Sequence, residues 1–181
     1  MADRIVFGAT AEVTGRTLSG VAHTFGTTTL MGEKYVKFER GAFDEALTRS
    51  DVRAFWNHDA RLLLGSQHSG TVRVNAEDDG LHYSIDVANT SYADDMLALI
   101  DRGDLAGMSF GIVPGKVKTS KAADGKQIVT HLSVADLFDV SPVSMPAFTS
   151  GTTIARHSAS VPGESVASQA IKARQRARAR E

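Results

Sequence analysis

A chain of 181 residues is long enough to bury a proper core and falls in the one-domain size range. With 20 Lys and Arg against 21 Asp and Glu, its formal charge of -1 gives no global reason to expect nucleic acid or a membrane as partner. The absence of cysteine excludes thiol nucleophiles, cysteine-bound zinc and disulfide staples, and suits a reducing setting.

The opening "MADRIVFGAT" lacks the basic start and apolar core of a signal peptide, and no apolar run is long enough to span a bilayer, so a cytosolic location is expected. From "RIVFGATAEV" through "GRTLSGVAHTFG", short β-prone runs punctuated by Gly and Thr predict the first strands of a mostly β domain, and "ERGAFDEALTRS" predicts a short helix. In "SGTVRVNAEDDGLHYSIDVAN", Val72 and Val74, then Leu81, Tyr83, Ile85 and Val87, alternate with polar residues across the "EDDG" turn, which predicts a β-hairpin. The period then changes: Tyr92, Met96, Leu99 and Ile100 share one helical face, Ser91 and Asp94 resemble a capping box, and Gly103 stands where a helix stops. Strands return in "LAGMSFGIVPGKVKTS" and "QIVTHLSVADLFDVSPVSM", joined by the turn "KAADGK". Strands and helices do not alternate regularly, which disfavours a doubly wound parallel sheet and predicts a β-rich α+β class. Residues 1–148 are expected to form the folded domain, and residues 149–181 a flexible, Ser- and Ala-rich linker with a basic end. Charge divides the same way, with a net of -5 over residues 1–155 and +4 over residues 156–181.

Within "GDLAGMSFGIV", Gly107, Ser109 and Gly111 satisfy G-x-S-x-G, a pattern that marks a strained nucleophile elbow when it joins a strand to a helix above a parallel sheet. That framework is absent here, so the pattern leaves two readings: a nucleophile, or a small residue between glycines that relieve crowding. A serine nucleophile needs a base with a pKa near working pH. His23, His82 and His131 lie in strand-like runs beside polar residues and read as solvated, and His157 lies in the linker. His58, in "VRAFWNHDARLLLG", ends an apolar strand and enters a polar loop, which makes it the first choice; His68 is the second. A carboxylate must then orient the imidazole. Asp139, between Phe138 and Val140 in "SVADLFDVSPVSMPAF", stands in a run too apolar to leave a charge unexplained, with Asp136 as competitor and a solvated strand face as the plain alternative. No H-E-x-x-H or comparable cluster is present, so neither a metal nor a cofactor is expected.

Four segments taken together, "ERGAFDEAL", "NHD" with "LLGSQHSGTVRVNAEDDGLHYSIDV", "LIDRGDLAGMSFGI" and "LFDVSPVSMPAF", resemble the prohead serine proteases of tailed bacteriophages from about Gly20 to about Arg156. The resemblance implies a fold similar to the herpesvirus assembly proteases, a β-barrel ringed by a few helices. It implies His58, Ser109 and Asp139 as the catalytic set, although the family's acid is more often Glu, which leaves Asp136 or His68 as sharers of the orienting role. It also implies a serine endopeptidase that acts inside the procapsid, in the host cytoplasm, on the scaffold region of the major capsid protein and sometimes on itself. Nucleic acid is not expected as a partner, and self-association is left open. Backbone N–H groups near Gly107 to Phe110, or Arg102 or Arg156, are candidate oxyanion donors. Cleavage between Phe148 and Ala170, and docking of the basic end on an acidic scaffold, are further expectations. The alternative is a non-catalytic capsid assembly or scaffold protein that keeps the domain.

Overall fold

The structure, a computed structural model, describes residues 15–146 together with three short strands, Ile5–Val6, Glu12–Thr14 and Arg156–His157. In chain order the first elements are β1 (Ile5–Val6), β2 (Glu12–Thr14), β3 (Thr17–Thr24), β4 (Thr28–Met31), β5 (Lys34–Phe38) and the short helix α1 (Asp44–Leu47). Next come β6 (Arg53–Phe55), β7 (Leu63–Ser66), β8 (Val72–Ala76), β9 (Gly80–Asp86) and α2 (Ser91–Arg102). The chain continues with β10 (Gly107–Pro114), β11 (Val117–Lys121), β12 (Gln127–His131), β13 (Val134–Val143) and β14 (Arg156–His157). The β-rich α+β class expected from the sequence holds.

The strands form three sheets, ordered β1-β10-β13-β6-β7, β11-β12-β5-β4 and β14-β2-β3-β9-β8. No closed barrel is detected among the described residues; each sheet ends on an edge strand. The predicted hairpin is the β8–β9 pair, with Val72 opposite Ile85 and Val74 opposite Tyr83, and the alternating apolar side chains are buried. Its turn needs Gly80, because a Cβ there would stand 2.3 Å from the His23 carbonyl oxygen. The apolar faces meet in one core, whose centre is a set of aromatic rings. Phe110 lies 5.7 Å, edge-on, from both Phe38 and Phe43.

Helix α2 buries Ala93, Met96 and Ile100, with Tyr92 and Leu99 partly buried beside them, which is the predicted face. It ends on Gly103 at φ 82, a left-handed stop that glycine accepts without steric cost. Its start differs from expectation. Thr90 rather than Ser91 is the capping residue, no side-chain cap forms, and the Asp94 carboxylate pairs with Arg16. Apart from β14, which pairs parallel with β2, the linker, the tail and the proposed cleavage segment lie outside the described residues, as does the end of the expected domain at residue 148.

Candidate active site

Ser109 lies in mid-strand on β10, not at a strand-to-helix elbow. The flanking glycines answer to crowding. A Cβ on Gly107 would stand 2.8 Å from the Pro146 ring, and one on Gly111 would stand 2.3 Å from the Phe138 ring and 3.0 Å from Asp139 Oδ1. Gly111 therefore makes room for the carboxylate itself.

Strand β13 runs antiparallel to β10, with Ser109 opposite Ser141 and Gly111 opposite Asp139. The register then slips: Ile112 faces Leu137, which leaves Phe138 as an extra residue. The bulge lies beyond Asp139, so the ladder from Ser109 to Asp139 is regular, while Leu137 and Asp139, two residues apart, face opposite ways. Partners across a ladder share a face and neighbours alternate, so Asp139 and Ser141 lie with Gly111 and Ser109, whereas Leu137 and Val140 lie with Ile112 and Phe110 on the other face. Asp139 is therefore a diagonal neighbour of Ser109 on one face of the sheet, at a separation that long side chains bridge.

His58 arrives from the opposite side of β13. Strand β6 pairs parallel to it, Arg53 beside Asp139, and the Phe55 amide donates to Ser141 Oγ at 3.2 Å. The chain then leaves the strand in a turn closed by Trp56 N to Leu62 O (3.1 Å), Asp59 N to Trp56 O (3.0 Å) and Leu62 N to Asp59 O (2.9 Å). Within it, Asn57 and His58 have φ of 55° and 57°, the two positive-φ non-glycine residues among those described. Such backbone is tolerated by asparagine but costs most other residues about 1–2 kcal/mol. The turn brings His58 Nδ1 to 2.9 Å from both oxygens of Asp139. A carboxylate can only accept, so Nδ1–H is the donor to it, and the other ring nitrogen, Nε2, points away from Asp139.

Burial sharpens the arrangement. Asp139 and Ser109 are 0 % exposed and the His58 side chain 13 %. A buried carboxylate is costly unless paired, so the solvated-face reading of Asp139 is excluded. The two adjacent serines differ in commitment: Ser141 Oγ is taken by the Phe55 amide, whereas Ser109 Oγ has no hydrogen-bond partner among the described residues. His58 Nε2 is likewise buried without one. Neither atom hydrogen-bonds the other, and a hydroxyl and an imidazole nitrogen are the atom types that a nucleophile and its base supply.

The competing residues are placed elsewhere. Asp136 accepts the Ser50 hydroxyl at 2.6 Å, and His68 is exposed on a turn with its amide on Asp51. Asp59 is held by Arg61, whose guanidinium bond, at 2.6 Å, and amide bond lower its carboxyl to about 2. Arg102, exposed at the end of α2, pairs with Asp104 at 2.7 Å, and the Arg156 side chain is outside the described residues. His82 bonds Asp79 at 2.7 Å and, with Glu77, makes a partly exposed cluster on the β8–β9 turn. The solvated reading of His23 and His131 is overturned: both are buried in the aromatic core, His23 at 4.9 Å edge-on to Phe38 and His131 stacked on it at 4.6 Å. Asn57 is the site residue that sequence reasoning missed; its left-handed backbone is foreshadowed only by the known tolerance of asparagine for that region.

The family described as caudovirus prohead serine protease matches residues 7–163. No curated protein matches the sequence. Among solved structures, the bacteriophage T4 capsid assembly protease aligns with a TM-score of 0.54 at 10 % identity, covering 77 % of this chain and 96 % of that one, a likeness of fold. With most of its length matched, from before the first long strand to beyond the last, the chain belongs to the caudovirus prohead serine protease family.

Proposed function

We propose that this protein is a serine endopeptidase of the maturing prohead, which cleaves the scaffold region of the major capsid protein by acyl transfer. Ser109 attacks the scissile carbonyl, His58 Nε2 takes the proton and later returns it to the leaving amine, and Asp139 holds the imidazole in the required tautomer and stabilises its charged form. The observation that carries the reading is the pair of 2.9 Å contacts between His58 Nδ1 and a fully buried carboxylate on the face that bears Ser109. Family membership supports the reaction class and association with the procapsid. Confinement with the substrate raises effective concentration, so little intrinsic affinity is required.

Complete burial of Ser109 means that a peptide reaches the hydroxyl only after part of the surrounding wall moves. That burial also favours the second reading, a non-catalytic assembly protein that retains the domain. Coexpression with the cognate capsid protein, with products mapped by mass spectrometry, decides between them. Processing that is lost in Ser109→Ala and His58→Ala while both variants stay folded supports the peptidase; normal maturation with Ser109→Ala overturns it and favours the assembly role. Among the described residues no helix is long and apolar enough to cross a membrane.

A further inference from the structure

The turn that carries His58 is not held by the imidazole alone. The Asn57 amide donates to the Pro142 carbonyl at 2.9 Å, and Asn57 Oδ1 accepts the Ser144 amide at 2.9 Å and the Ser144 hydroxyl at 3.3 Å. Two residues on, Pro146 packs on Gly107, in the strand that bears Ser109. The short segment Ser144–Pro146 is thus fixed at one end to the histidine turn and at the other to the serine strand, while Met145 between them is 85 % exposed.

Two consecutive left-handed residues without glycine do not persist unless their surroundings hold them. Asn57 meets that demand twice, with a side chain that tolerates the backbone and an oxygen that ties it down.

We propose that Asn57 is a positioning residue for His58: through Ser144 it clamps the left-handed turn so that the imidazole stays on Asp139, on the side of the sheet that presents Ser109. In its kinetic consequence the inference rests on the peptidase reading; in its structural one it does not. Asn57→Gly keeps the backbone freedom and removes the clamp, whereas Asn57→Asp keeps both the left-handed tolerance and the accepting oxygen.

The test uses the full chain and two readouts. The first is the proton resonance of the His58 Nδ1–H, shifted far downfield by its bond to Asp139. The second is the rate at which a fluorophosphonate phosphonylates Ser109 with loss of fluoride, separated into a maximal rate and a half-saturating concentration. In Asn57→Gly the resonance is expected to vanish and the maximal rate to fall about a hundredfold, with half-saturation little changed, since a displacement of about 1 Å costs that much. Asn57→Asp is expected to restore the resonance and most of the rate, and its added carboxylate beside His58 moves the acidic limb of the pH–rate profile upward. Asn57→Ala, which removes the same oxygen, replaces the glycine variant if that one does not fold. A resonance and rate unchanged in Asn57→Gly, or an Asn57→Asp no better than Asn57→Gly, overturns the proposal. If the wild type shows the resonance but is never labelled, the peptidase reading falls, and the resonance in the variants still decides the role of Asn57.

Discussion

Lowering the pH tests the aromatic core. His23 and His131 are 6 % and 1 % exposed, and His131 stacks on Phe38 at 4.6 Å with an interplanar angle of 14°. Burial lowers both imidazoles to about 4; His23 is lowered further by His131, and His131 by Lys34. The folded protein therefore keeps both neutral where the unfolded chain, with an ordinary value of 6.5, binds protons. The contribution of each to stability is fully present above the unfolded value and is lost as the pH falls from there towards 4. At about pH 5 the loss is about 2 kcal/mol per residue and about 4 kcal/mol for the pair, a large part of the roughly 5–15 kcal/mol that holds a domain together. Urea unfolding followed by fluorescence of Trp56, the single tryptophan, at about pH 7 and about pH 5 measures it. Replacing His131 by Phe preserves the stack on Phe38 and should remove about half of the pH-dependent loss, whatever it does to stability at neutral pH. A wild-type loss below about 1 kcal/mol, or a variant with an undiminished pH dependence, refutes the argument.

Three further outcomes are expected. Asp139→Asn should leave the fold intact by circular dichroism yet lower peptide turnover by about 10³–10⁴, because the amide favours the wrong imidazole tautomer; turnover within tenfold of wild type would remove Asp139 from the mechanism. Gly111→Ala drives a methyl group to 2.3 Å from the Phe138 ring and 3.0 Å from Asp139 Oδ1, so it should cost about 1–3 kcal/mol in thermal melts and slow fluorophosphonate labelling of Ser109. Phe110→Ala empties the meeting point of the Phe38 and Phe43 rings beside Ser109 and should cost about 3–5 kcal/mol in urea unfolding, against less than about 1 kcal/mol if the core closes over the gap.

What the sequence by itself determined is local. Alternation at Val72, Val74, Leu81, Tyr83 and Ile85 specified the hairpin, and the spacing of Tyr92, Met96, Leu99 and Ile100 with Gly103 specified the principal helix, because each pattern reports which side of one element must leave water. The identities of Ser109, His58 and Asp139 were likewise legible as types of chemistry. Their relation to one another was not. Whether Asp139 faces Ser109 or the opposite layer depends on the register of β10 on β13, and a register is a property of two paired strands rather than of either alone. His23 and His131 look polar in the chain yet lie among phenylalanines, since their inward direction is set by sheets that meet only in the folded protein. Asn57 acquires its meaning from Ser144, 87 positions away, and a hydrogen bond across that separation leaves no periodic trace in the residues between.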